Sequence, residues 1–143
     1  MSTVDLTHFL SRATTEDPYF RFLRFQVERP TPGNVVLKVH IDPDFHTNRR
    51  GITHGSPLAA LCDACMGWSC RTLGYHVVTV NMDISYVRPV MENTWVYGEG
   101  RVVHHGSKTI VCEAHLYDEA HRLAIVGKGT YWIHHTIDLA TDV

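Results

Sequence analysis

PLAALCDACMGWSCRTL, residues 57–73, carries the marks of a helix. Proline is tolerated in a first helical turn, Ser56 is a suitable N-cap, and Gly74 can close the far end. Asp63 and Arg71 are its only charged residues; the rest is apolar or small, so the helix is expected to be buried nearly all round. Such a helix needs a surface that wraps it.

The flanking sequence supplies that surface as strands. In residues 76–87, Val78, Val80, Met82, Ile84 and Tyr86 alternate with Thr79, Asn81, Asp83 and Ser85, which predicts a strand with one buried face. Arg88-Pro89 stops it. Runs at 94–104, 108–117 and 122–134 follow, parted by His105-Gly106-Ser107 and Asp118-Glu119-Ala120-His121, which predict antiparallel hairpins. Upstream, Asn34 to Ile41 is rich in β-branched residues and follows a turn at Pro30-Thr31-Pro32-Gly33. One or two short helices are expected over 4–12 and 17–25, with Pro18 opening the second. The predicted architecture is therefore α+β, an antiparallel sheet wrapped around one long buried helix, which is the hot-dog fold. One domain, 1–143, is expected, with an N-terminal helical segment (1–30) and a core (34–134).

Composition narrows the function. With 143 residues and a formal charge of -2, the chain is large enough to bury a core and has no electrostatic reason to bind nucleic acid. The N-terminal residues lack a signal-peptide core, and no apolar run reaches the roughly 18 residues of a membrane span. A cytoplasmic protein bound to neither membrane nor nucleic acid is expected. Cys62, Cys65, Cys70 and Cys112 read as reduced, buried thiols; Cys62-x-x-Cys65 lies inside the helix and has no second pair, which argues against redox or zinc chemistry. The eleven histidines, including His104-His105 and His134-His135, lack the spacing that sets two imidazoles on one helical face. No metal or cofactor is expected.

The chemistry is concentrated in Asn48-Arg49-Arg50-Gly51-Ile52-Thr53-His54-Gly55-Ser56-Pro57, which leads into the helix and on to Asp63. Gly51 and Gly55 permit close backbone approach, and Gly55 stands where a helix amino terminus favours a negative oxygen. A carboxylate among Ala59, Ala60, Cys62, Ala64 and Met66 must be paired, protonated or functional.

The run N-x-x-G-x-x-H-G, with Asp63 eight residues beyond its second glycine, resembles the signature of PaaI-type, acyl-coenzyme A thioesterase 13-like hot-dog thioesterases. V-T-V-N-M-D-I-S-Y-V-R-P at 78–89 and the turn at Gly106-Ser107-Lys108 are similar to the following elements of that family, and the resemblance extends from Asn34 to Tyr131. It implies an acyl-CoA thioesterase in which Asn48 and the Gly55 N–H polarise the thioester carbonyl, and Asp63 acts as general base or nucleophile. It also implies that the Thr79 hydroxyl orients water and that His54 shapes the loop. The family usually has H-G-G, and Ser56 here replaces the second glycine. The resemblance further implies sites shared between subunits of a homodimer or homotetramer. Arg88, His105 and Lys108, near turns, are candidates for the phosphates of coenzyme A. Aromatic and short- or medium-chain acyl groups both fit. The alternatives are a hot-dog dehydratase or hydratase, of which Asp44-x-His46 is a faint echo, a non-catalytic acyl-CoA-binding protein, and a metal-binding or storage protein.

Overall fold

A computed structural model describes residues 4–142. Its elements run α1 (Leu6–Glu16), α2 (Pro18–Leu23), β1 (Gln26–Thr31), β2 (Asn34–His40), α3 (Gly55–Arg71), β3 (Tyr75–Tyr86), β4 (Trp95–His105), β5 (Thr109–Tyr117) and β6 (Leu123–Thr136). The strands form one antiparallel sheet in the order β1-β2-β4-β5-β6-β3. The sheet wraps α3, which packs against β2, β3, β4, β5 and β6. This is the hot-dog arrangement. Among the described residues, no helix is long and apolar enough to cross a membrane.

The helix lies close to the sheet because glycines floor the contact. A methyl carbon at Gly98 of β4 would stand 2.6 Å from Cys65 Sγ, and one at Gly100 would overlap the Cys65 carbonyl. On β6, added carbons at Gly127 and Gly129 would crowd Cys62 and Met66 at 3.3 and 3.2 Å. Around this seam Leu37, Leu61, Cys62, Cys65, Met66, Ile110, Leu116 and Ile125 are fully buried.

Four sequence expectations are corrected. Residues 26–31 are not a helix tail and turn but strand β1, paired with β2; β1 is an edge strand, where Pro30 withholds no needed ladder bond. The first helix runs on to Glu16, and Asp17 caps the second by accepting from the Phe20 N–H at 3.0 Å. Helix α3 starts at Gly55 with His54 at its N-cap, so Ser56 already lies inside it. Nor is α3 buried all round: Ala59, Ala60, Asp63, Ala64 and Gly67 are half-buried, because sheet and N-terminal helices leave that face open as a cleft.

Strand β3 departs from simple alternation. Its pairing with β6 passes from Thr79↔Tyr131 to Asn81↔Thr130, so Val80 is an extra residue in a β-bulge. The bulge puts Thr79 on the same side as Met82 and Ile84, facing α3. Val78 and Val80 are left 46% and 61% exposed.

Gly100→Ala is expected to destabilise the fold by about 1–3 kcal/mol through overpacking against the α3 backbone. Urea unfolding checks this as a lowered midpoint with the slope kept; an unchanged midpoint would mean that helix and sheet part at no cost.

Candidate active site

Asp63 projects from α3 into a cleft of about 270 Å³ whose walls include Phe20, Ala60, Gly67, Trp68, Thr79 and Tyr131. The small residues sit one turn either side of Asp63 on the same face and leave room beside the carboxylate. Phe20 of α2 meets Trp68 edge-on, with ring centroids 5.5 Å apart, so the N-terminal helices form the aromatic end of the cleft.

Two hydroxyls hold the carboxylate. Thr79 Oγ1 donates to Asp63 Oδ1 at 2.9 Å, and Tyr131 Oη donates to the same oxygen at 2.8 Å. Oδ2 accepts no hydrogen bond from the described residues and is the oxygen free to act. Burial, and then the adjacent Asp63 charge, push the Tyr131 phenol well above its ordinary pKa, so it remains a donor at neutral pH. Periodicity alone does not distinguish Tyr131, which reads in the sequence as one more core aromatic on an alternating strand. A signal was present: a buried tyrosine hydroxyl needs a partner, and Gly127-x-Gly129-x-Tyr131 clears the space through which this one reaches α3.

The loop before α3 forms a separate unit. Asn48 Oδ1 accepts from the N–H groups of Arg50 at 2.8 Å and Ile52 at 3.2 Å, and Gly51 turns with φ +72°. This commits the amide oxygen and leaves Nδ2 as the group with which Asn48 can meet a carbonyl. The His54 side chain is exposed and makes no capping bond, while its N–H donates to the His46 carbonyl at 2.9 Å. His46 is buried, and its Nδ1 accepts from the Asp42 N–H at 2.9 Å. That bond and its burial, which lowers its pKa, hold it as a neutral loop brace; the neighbouring Asp44 is exposed.

Gly55 lines a second cleft with Tyr86 and Arg88, and Tyr86 Oη donates to the Gly55 carbonyl at 2.7 Å. Eight residues along α3 separate Gly55 from Asp63, about 12 Å of helix. One chain therefore gathers Asp63, Thr79 and Tyr131 in one cleft, and Gly55 and Arg88 in another. His105 lies at the opposite end of β3 from Arg88, its ring 4.7 Å from that of Tyr75, and Lys108 sits in the adjoining turn, its carbonyl accepting from the Ile133 N–H at 2.8 Å.

The cysteines are all buried and free. Burial, and then Asp63, push the Cys62 thiol up to about 12, and burial raises Cys65 well above its usual range. Neither is an activated thiolate.

Residues 50–125, just over half of the chain, match the family model described as thioesterase superfamily. The chain belongs to this superfamily. It resembles the PaaI protein of the E. coli phenylacetic acid degradation operon, with a TM-score of 0.86 at 19% identity over 94% of this chain and 100% of that one. A Streptococcus pneumoniae protein described as a hypothetical thioesterase, whose crystal structure contains coenzyme A, superposes with a TM-score of 0.76 at 24% identity, covering 80% of this chain and 91% of that one. A Saccharolobus solfataricus protein provisionally named an esterase is 27% identical over 119 residues, 82% of this chain and 84% of that protein. The two superpositions show the shared fold, while the superfamily assignment, with the esterase likeness, supports hydrolase activity. The matched segment contains Gly55, Asp63 and Thr79, and it ends before Tyr131.

If the two hydroxyls orient the carboxylate for chemistry, Thr79→Ala and Tyr131→Phe should each lower kcat more than they raise KM, with the double variant lower than either. Steady-state kinetics alongside circular dichroism checks this; wild-type kcat in both single variants would make the pair purely structural.

Proposed function

We propose that the protein hydrolyses acyl-coenzyme A thioesters with Asp63 as the catalytic carboxylate. The observation that carries this reading is a half-buried carboxylate with one oxygen fixed by two hydroxyls and the other unbonded in a small, partly aromatic cleft. The coenzyme A in the Streptococcus pneumoniae relative supports the choice of thioester. In the general-base route, Oδ2 takes a proton from water while the water oxygen attacks the thioester carbonyl. Collapse of the tetrahedral intermediate expels the coenzyme A thiolate, which recovers the proton. In the nucleophilic route, Oδ2 attacks the carbonyl and the C–S bond breaks, leaving a mixed anhydride and the coenzyme A thiolate; water then adds to the anhydride, the bond to Oδ2 breaks, and a proton of that water passes to the thiolate. In both, Thr79 and Tyr131 set the direction of the carboxylate. The cleft volume and the rings of Phe20, Trp68 and Tyr131 suit an aromatic or a short- to medium-chain acyl group.

The oxyanion site is assigned to the Gly55 N–H and Asn48 Nδ2 of a second copy of the chain. Strand β3 is a twelve-residue edge paired only with β6 among the described residues, and Val78, Val80, Tyr86 and Val87 are exposed along it or at its end. A long apolar edge invites another strand. Antiparallel pairing of two β3 strands about a two-fold axis near Met82 and Asp83 would set Thr79 of one copy opposite Tyr86 of the other. Since Thr79 bonds Asp63 and Tyr86 bonds Gly55, such pairing draws the two clefts together. The same operation moves Arg88 of one copy toward the end of β3 where His105 and Lys108 of the other lie, a cationic group suited to the coenzyme A phosphates. A homodimer is the minimum this site requires.

Asp63→Asn keeps the shape of the side chain and removes its basicity. Thioester hydrolysis, followed as free thiol released from a panel of aromatic and aliphatic acyl-CoA thioesters, should fall by about 10²-fold to 10⁴-fold. Retention of most of kcat would overturn the assignment, and a wild-type protein that binds acyl-CoA without releasing thiol would make it a binding protein.

A further inference from the structure

Three imidazoles converge at the end of the β3–β6 ladder. His76 of β3 pairs in register with His135 of β6, and their rings stack at 4.7 Å with 6° between the planes. His134 Nδ1 lies 2.6 Å from His135 Nδ1, and its ring centroid is 5.7 Å from that of His76. One ring nitrogen from each of the three lies within 4.8 Å of the others.

We propose that His76, His134 and His135 form a site for a divalent first-row transition ion of the zinc class. Neutral imidazole is a preferred ligand of such ions, and three imidazoles with an open fourth position are a known zinc arrangement. Bonds of about 2.0 Å in tetrahedral geometry place ligand nitrogens roughly 3.3 Å apart, between the 2.6 Å of the His134–His135 contact and the 4.8 Å that bounds the group. Two features point to a ligand that the protein does not itself supply. His76 Nδ1 is buried and has no hydrogen-bond partner, a cost that a coordinate bond removes. His134 and His135 bring two ring nitrogens face to face, a contact that one of them can satisfy only by donating its proton. Metal binding replaces that contact, and the donor's proton moves to its other ring nitrogen, so that each ring stays neutral and offers a lone pair. The stacked pair must turn about χ2 to aim two lone pairs at one ion, and the exposed His134 and His135 are free to do so. A local bulge supports the cluster: the register slips between His76 and Val77, which bends the strand end and breaks the alternation that would send His134 and His135 to opposite faces.

The position gives the ion a consequence. His76 also lines the cleft that contains Asp63, Thr79 and Tyr131, so an ion held there stands at the margin of the substrate space. It is then an inhibitory site, a consequence that rests on the thioesterase reading; ion binding does not.

Zn²⁺ binding to the whole protein, followed by calorimetry, should show one equivalent per chain. Co²⁺ absorption should report nitrogen ligation in the visible region. Disturbing groups behind metal ligands weakens affinity by about 10–100-fold, so removing two direct ligands in His134→Ala/His135→Ala should weaken this equivalent by at least that much. His76→Gln should weaken it as well. Equal affinity in wild type and the double variant would overturn the site, since the chain's other histidines would then account for the binding. In the same series, Zn²⁺ should inhibit thioester hydrolysis by the wild type and spare the double variant, whose basal rate stays unchanged. Equal inhibition of both would overturn the coupling to the cleft, while the calorimetry judges the site independently of any activity.

Discussion

The distance between helix α3 and the sheet is the constraint on which the rest of the molecule depends. Gly98 and Gly100 bring β4 against the Cys65 turn, and Gly127 and Gly129 bring β6 beneath Cys62 and Met66. Only at that separation does the Tyr131 hydroxyl, rising from β6, reach the Asp63 carboxylate at 2.8 Å. The bulge at Val80 supplies the second hydroxyl by rotating Thr79 inward. A carboxylate in an apolar surround is costly without hydrogen-bond partners. Here its two partners come from two adjacent strands, so the same contacts that make the charge tolerable also fix its direction.

Most of this fold is legible in the sequence. The α3 helix, strand β2 and the β4 to β6 meander all follow from periodicity and turn residues, and their ends fall within about two residues of expectation, the usual disagreement between boundary definitions. Legibility fails where a local pattern is overruled by position. Gln26-Val-Glu-Arg-Pro-Thr31 has too many charges and a proline to look like a strand, yet an outer strand tolerates both. Along β3 the alternation of valines and polar residues is real, but one extra residue at Val80 reverses its meaning. The sequence pattern puts Val80 on the buried face, whereas in the structure Val80 is 61% exposed and the Thr79 hydroxyl turns toward Asp63 at the exposed margin of the cleft.

The candidate site is legible by halves for the same reason. Asp63 stands out because a charge in an apolar helix demands an explanation, and the Asn48 to Gly55 loop stands out through its glycines. Tyr131 is hidden, since nothing in an alternating strand distinguishes an aromatic that packs from one whose hydroxyl has work to do. The proposed relation between Asp63 and Gly55 rests on the family resemblance and not on spacing, because the two lie about 12 Å apart on one helix. The two edges of the sheet differ in how they meet solvent. β1 carries Glu28, Arg29 and Pro30, has a bulge and is flanked by α1, all of which discourage pairing. β3 exposes valines and a tyrosine. A second copy on β3 would cover that edge and complete the site with the same contact.

The proposed shared site makes hydrolysis depend on Asp63 of one copy and the Asn48–Gly55 loop of another. The direct measurement is to co-refold equal amounts of two inactive variants, Asn48→Ala and Asp63→Asn, and assay the mixture with each variant refolded alone as a control. A mixed dimer then has one site with both lesions and one with neither. With half the dimers mixed, activity should return to about one quarter of the wild-type level, by the arithmetic of a two-fold interface. A mixture that stays inactive, although mixed dimers are demonstrated by differential tagging and size-exclusion chromatography, would contradict the shared site.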